Sequence, residues 1–353
     1  MDAGRSNMSA APTSLMEQLR GRRVFYAGAI DSRFRTALLG GQRVTLEHVQ
    51  VLREAGVEAF AVTSEDTWQR TRGRLQGALP AIADPSLLMH MRQFRRTVRA
   101  AEDVVVVPAR QFAALDQIPG EHKVLFSQGI WVTMQALTPA TATVLDHPAL
   151  RAIMVVSDGN AAQFRTLQPT CPVLVARNGI DLPAHAPLRE REACLAYPGL
   201  NRMEKNPWHT RALLVALARR GVLAPAGAVQ ALELEGIRQT QVHRHLETAS
   251  ALLFPSVWEG LGLLPLEAMA RGCLAFGWDV SPMNEYLLEA CRFSFADLDV
   301  MTDALESALR NPAAWQTQRE AGIEVARRWS REAQARSILT TWAAIAEQLR
   351  QAA

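Results

Sequence analysis

Phe254-Pro255-Ser256-Val257-Trp258-Glu259-Gly260-Leu261-Gly262-Leu263-Leu264-Pro265-Leu266-Glu267-Ala268-Met269-Ala270 decides the fold. Ala251 to Phe254 is a short apolar run, as a strand buried on both faces requires. Gly260 and Gly262 allow a tight turn and a close approach of backbone to a ligand. Pro265 suits the first helical position, where its missing N–H is no loss. Helix formers follow to Arg271, and Gly272 stops them. The unpaired amides of Leu263, Leu264 and Leu266 then face the mouth of the turn at the positive end of the helix dipole. That is a site for an anion such as a diphosphate.

Two carboxylates flank this turn. Glu267 alone reads as an acid complementing the helix dipole, and Glu259 alone as an exposed loop acid. Neither reading accounts for the glycines, the proline and both acids occurring together. The stretch resembles the E-x7-E signature of retaining glycosyltransferases of the family 4 type. The resemblance implies an α/β chain of GT-B architecture: two Rossmann-like doubly wound domains facing a cleft, with a C-terminal helix crossing back to the first. It implies that Glu267 bonds the ribose hydroxyls of a nucleotide-sugar and that Glu259 contacts the donor sugar. Gly260, Leu261, Gly262, Leu263 and Leu264 would cradle the donor between them. A carboxylate suits both roles, being an acceptor-only group able to take two hydroxyl protons.

The 353 residues, 48% hydrophobic and 21% charged, suffice for two domains of ordinary size. No apolar run approaches the ~20 residues of a membrane span. Residues 1–20 are expected to be a disordered leader, because Met1 to Leu15 carries little pattern. The four cysteines, Cys171, Cys194, Cys273 and Cys291, lack CxxC spacing and read as free thiols in a reducing, cytoplasmic setting. A net charge of +3 gives no footprint for nucleic acid, and none is expected as a partner.

The first domain is expected over 21–185. Arg23 to Ala27 reads as a strand. Gly28, the loop 31–35 and Gly40-Gly41 lead to a helix through Val44, Leu46, Val49, Val51 and Leu52, ending at Gly56. This unit resembles the opening of the same family, where the Gly-Gly loop faces the acceptor; a plain tight turn explains the pair equally well. Further strands are expected at 58–62, 104–107, 124–126, 153–156 and 173–176. Gln128 follows the third of these, and ligands of open parallel sheets bind beyond strand carboxyl ends. Pro85 to Glu102 reads as one amphipathic helix with Arg92, Arg95, Arg96 and Arg99 on a shared face. Such a stripe is ordinarily solvated; its functional reading is contact with anionic lipid at the inner membrane face or with a phosphorylated acceptor. Asn178-Gly179-Ile180-Asp181 resembles the family's inter-domain crossing.

The second domain is expected over 186–330. Its strands are read at 194–197, 229–234, 251–254 and 273–277, and its helices at 207–220, 240–249, around Tyr286 to Leu288, and at 301–309 and 312–329. Residues 331–353 supply the crossing helix, with Ser330 as its N-cap. Gly199 to Asn206 departs from the family pattern. Lys205 keeps the lysine's distance from the glycine, but Leu200 stands where an arginine is expected, and Arg202 lies two residues on. Both cations suit charge growing on a leaving diphosphate. Trp278 to Asn284 replaces a glycine-rich segment before Glu285-Tyr286. Asp297-Leu298-Asp299 reads as a helix cap, and no metal or cofactor is expected. The expected activity is sugar transfer from a nucleotide diphosphate donor to a glycan, lipid-linked or other hydroxyl acceptor. A partner subunit without turnover and a sugar-nucleotide epimerase remain as alternatives.

Overall fold

In the computed structural model, which describes residues 14–30, 40–63, 84–185, 191–201, 203–225 and 228–351, two parallel sheets carry the chain. The first half runs α1 (Leu15–Gln18), β1 (Val24–Ile30), α2 (Gly40–Glu54), β2 (Ala59–Thr63), β3 (Leu88–His90), α3 (Met91–Thr97), β4 (Val104–Pro108), β5 (His122–Ser127), α4 (Ile130–Ala136), β6 (Leu150–Val155), α5 (Asp158–Arg165) and β7 (Val173–Val175). Its seven strands lie in the order β3-β2-β1-β4-β5-β6-β7. The second half runs β8 (Glu192–Tyr197), α6 (Pro207–Arg219), β9 (Gln230–Glu233), α7 (Gln239–Thr248), β10 (Ala249–Leu253), α8 (Leu263–Ala270), β11 (Leu274–Trp278), β12 (Arg292–Phe293), α9 (Leu298–Arg310), α10 (Gln316–Arg327) and α11 (Arg331–Gln351). Its five strands lie in the order β12-β11-β10-β8-β9.

Each sheet reverses its strand order once, between β1 and β4 and between β8 and β10, which puts the crevices of both sheets beyond their strand carboxyl ends. The continuous apolar runs follow from burial on both faces: Val104, Val105, Val106 and Val107 of β4 are all buried. One apolar cluster passes from the first sheet through Ala176 and Ile180 to Leu252, Phe254 and Leu266 of the second half. Across the junction α11 returns to the first sheet. Thr341 Oγ1 donates to the Val175 carbonyl at 2.8 Å, and the buried Trp342 Nε1 reaches the Tyr26 hydroxyl at 3.3 Å.

Four expectations are corrected. Residues 14–20 are not a disordered leader: α1 is closed by a Ser14–Glu17 capping box, and Leu19 is buried; residues 1–13 lie outside the described segments. Pro85 to Glu102 is not one helix. Pro85–Leu87 is a 3-10 turn, β3 extends the sheet beside β2, and only α3 is helical. β3 hides Leu88 and Met89 in the core, a use of apolar residues that helical periodicity cannot distinguish over so short a run. Arg99 lies beyond α3 and pairs with Glu102 and Asp103, so the stripe reduces to Arg92, Arg95 and Arg96. Finally, Tyr286 to Leu288 is not helical. A 3-10 turn, Met283–Glu285, precedes it, and Tyr286 and Leu287 are pinned in the core.

Candidate functional site

β10 delivers the chain to the Glu259–Gly262 turn, and Gly262, at φ +80°, is the N-cap of α8. The helix begins at Leu263, so Pro265 sits at the third helical position rather than the first. The amides of Leu263 and Leu264 belong to the first turn, where no intrahelical acceptor exists, and Pro265 has no amide to offer. The Tyr286 hydroxyl donates to the Gly262 carbonyl at 2.8 Å and braces the turn from beneath.

Glu259 and Lys205 are joined in a direct ion pair. Ser256 Oγ donates to Glu259 Oε1 at 2.7 Å, and Lys205 Nζ lies 5.1 Å from the centre of the Phe254 ring. The sequence thus brings its two best catalytic candidates together. Arg202 lies outside the described residues. Leu200 offers its backbone instead: its amide donates to Glu233 Oε1 at 2.8 Å.

Glu267 is 4% exposed. Gln239 Nε2 donates to its two oxygens at 2.9 and 3.0 Å, His243 Nε2 stands 3.5 Å from Oε1, and Arg43 Nη1 stands 3.6 Å from the same oxygen. Burial pushes the Glu267 carboxyl up, but His243, Arg43 and Arg271 together outweigh it and hold the group below the ordinary range. Arg43, Gln239 and His243 were not among the sequence candidates. The available signals were Arg43 and Glu47 four apart on α2, and Gln239 and His243 four apart on α7, each a spacing that places two side chains on one face.

The first half closes over this turn. Gln128 follows β5 and donates through Nε2 to the Gly41 carbonyl at 2.9 Å and to Thr45 Oγ1 at 3.2 Å. Gly40 and Gly41 are the first two residues of α2, so Gln128 stitches the expected acceptor loop to the β5 end. Asn160 holds the two halves together: its Nδ2 donates to the Gly260 carbonyl, and its Oδ1 accepts from the Ile130 amide at 3.0 Å. Trp131 and Trp258, one from each half, stack at 5.2 Å with 12° between the rings. The segment replacing the family's glycines, through Ser281, and Glu285 just after it also reach the first half. Glu285 accepts from the Gly159 amide at 2.7 Å and the Asp158 amide at 3.3 Å, and a side chain on Gly159 would collide with Ser281. Trp278 is fully buried beside His209, 5.2 Å between ring centres, so the substitution fills the core rather than lining the turn. Asp297 caps α9 by accepting from the Val300 amide. Among the described residues no cluster of His, Cys, Asp and Glu is arranged to hold a metal, and no helix is long and apolar enough to cross a membrane.

Residues 233–334, which include the whole turn and α8, match the family described as glycosyl transferases group 1. No curated protein sequence matches the chain. Among solved structures it is similar to a sucrose-phosphate synthase from Thermosynechococcus elongatus, with a TM-score of 0.62 at 14% identity over 94% of this chain and 98% of that one. It is similar to the lipopolysaccharide outer core galactosyltransferase WaaB, with a TM-score of 0.58 at 12% identity over 90% and 97% of the two chains. S. aureus TarM, solved with fondaparinux, alpha-GlcNAc-glycerol and UDP, matches at a TM-score of 0.59 and 11% identity over 71% of this chain. This chain spans 57% of TarM's length. The fold is that of GT-B glycosyltransferases, and the family match supports sugar transfer as the reaction class.

Proposed function

We propose that the protein transfers a sugar, with retention, from a nucleotide diphosphate donor to a hydroxyl of a glycan or lipid-linked acceptor. The carrying observation is the start of α8: Leu263 and Leu264 open the helix just after Glu259, which is paired with Lys205, and the same helix carries Glu267, a buried carboxylate held ionised. A diphosphate suits the amides of that first turn and the lysine. Ribose hydroxyls suit a carboxylate that is kept ionised, because only then is it an acceptor alone. Glu259, paired with Lys205, is released toward the donor sugar when the diphosphate draws Lys205 to itself. Lys205 then offsets the negative charge that grows on the leaving phosphate. Arg202 is assigned the same task. The acceptor approaches from the first half, along Gly40, Gly41 and Gln128, and needs no metal for activation.

The test is calorimetric titration of the intact protein with UDP, GDP and ADP, repeated with Glu267→Gln. At least one nucleotide should bind, and the substitution should weaken it by about 1.5–3 kcal/mol, the usual cost of a lost charge-assisted bond. A protein that binds none of the three is the partner-subunit alternative. Proton spectra of the anomeric centre of the product then report retention or inversion, and an unchanged acceptor with an epimerised donor identifies the epimerase.

A further inference from the structure

Arg43 joins charges from three parts of the chain. It is the fourth residue of α2 and 7% exposed. Its Nε donates to Glu47 Oε1 at 2.8 Å, one helical turn further on. Its Nη2 pairs with Asp181 of the crossing segment. Both of these acids are anchored again from α11: Arg331 pairs with Glu47 and donates to Asp181 Oδ1 at 2.9 Å, and Gln334 donates to Glu47 Oε2 at 3.0 Å. The guanidinium is therefore fixed by the first half and the crossing elements. What remains is Nη1, and it points across the junction to Glu267, 3.6 Å away. Burial works against the charge on Arg43, but Glu47, Glu267 and Asp181 outweigh it and raise its pKa.

Glu267 has its own support in the second half, from Gln239, His243 and Arg271. Gln239 is neutral, and Arg271 donates to the Glu267 backbone carbonyl at 3.0 Å rather than to its carboxylate. The permanent cation facing the carboxylate oxygen thus comes from the other half of the molecule. Gln239 takes two of the carboxylate's about four lone-pair sites. Arg43, at 3.6 Å, stands at ion-pair rather than hydrogen-bond distance, which leaves about two sites for hydroxyl donors. Contact with Arg43 does not block a ribose.

We propose that Arg43 is a positioning residue for the nucleotide seat, so that a seat built on the second domain is complete only when the first domain is closed against it. The proposal rests on the reading of Glu267 as the ribose carboxylate. By linkage, a nucleotide that prefers Glu267 ionised and fixed also prefers the closed molecule, and closure raises nucleotide affinity by the same factor. Through Asp181, Glu47 and Arg331, the same guanidinium ties this preference to the segments where the chain crosses between domains.

A double-mutant cycle on the intact protein tests this, with the tightest binder among UDP, GDP and ADP as the probe. Arg43→Met should weaken the nucleotide about tenfold in the parent, but less than about threefold in the Glu267→Gln background, because its effect passes through that carboxylate. Arg43→Lys, which keeps a cation on the same backbone position, should recover part of the loss; it also serves the cycle if the methionine variant does not fold. A role confined to holding α2 to the crossing helix would lower the melting temperature and leave the two effects additive. Additive effects in a parent that binds nucleotide overturn the role of Arg43 alone. A parent that binds none of the three nucleotides overturns the functional reading, and this proposal with it.

Discussion

The carbonyl oxygen of Gln128 occupies the space in which a side chain on Gly260 would begin. The two residues belong to opposite halves, and the same glycine carbonyl accepts from Asn160. Gly260 is thus a glycine for the sake of the junction as well as the turn. In Gly260→Ala the added carbon must push the first half away from the turn or shift the turn itself. Overpacking of this kind costs about 1–3 kcal/mol. Turnover should fall at least about tenfold, since a barrier change of 1.4 kcal/mol has that effect, and solution scattering should give a larger radius of gyration. Parental turnover with an unchanged scattering curve would show that the close approach is incidental.

Lys205→Ala separates binding from chemistry. Lys205 and Glu259 form a mostly buried ion pair, and the proposed function sets Lys205 against the donor diphosphate. An interaction stronger in the transition state than in the ground state appears in the rate constant. The variant should lose a factor of about 100 in kcat, as with other charge-stabilising donors. Nucleoside monophosphate affinity should change far less. Equal loss in both measurements would make Lys205 a binding residue only.

His48 supplies a prediction about acid stability. The side chain is fully buried, 3.2 Å from the Tyr26 hydroxyl through Nδ1, with Nε2 unpartnered, and burial depresses its pKa from 6.5 to about 3. Between those values the unfolded chain binds a proton that the folded chain refuses. Stability is therefore full above the unfolded pKa and falls as the pH drops through the window toward 3, by about 1.4 kcal/mol per pH unit. His48→Gln removes this one contribution. Denaturant unfolding of parent and variant at several pH values should give a difference that shrinks steadily from pH 6 to pH 4. A difference independent of pH would mean that the imidazole is protonated in the folded state.

Three of the four arginines of the expected stripe lie on α3. Arg92, Arg95 and Arg96 are exposed on α3; Arg99, also exposed, lies beyond the helix and pairs with Glu102 and Asp103. Each cation near an anionic surface contributes about 1 kcal/mol. Sedimentation with phosphatidylserine vesicles at low salt should drop on replacing these three arginines together with glutamine, and should be insensitive to Arg99→Gln. Equal recovery with neutral and anionic vesicles would leave α3 as a solvated helix.

The legible parts of the fold are those fixed by neighbours in sequence. The turn before α8 is readable because glycine, proline and helix formers act within a few residues, and β4 is readable because four valines in a row admit little else. Leu88 to His90 is illegible for the opposite reason: a short strand gains its stability from β2, which the local pattern does not contain. The site divides in the same way. Lys205 and Glu259 are recognisable through the resemblance to the family pattern, and the structure pairs them. Arg43 is an ordinary helix cation until folding brings it within 3.6 Å of Glu267. Its partners come from α2, the crossing segment and α8, a combination that no window of sequence holds.

The stack of Trp131 on Trp258 gives the molecule an optical gauge. Indole rings 5.2 Å apart couple their electronic transitions, and the coupling falls with the cube of the separation. Because one ring rides on each half, any hinge motion at the turn must separate them. Circular dichroism in the aromatic bands would register that separation without a label, and Trp131→Phe would silence the signal while leaving an aromatic ring in place. Stopped-flow spectroscopy on the native chain can therefore time the closing of the junction against the arrival of a nucleotide.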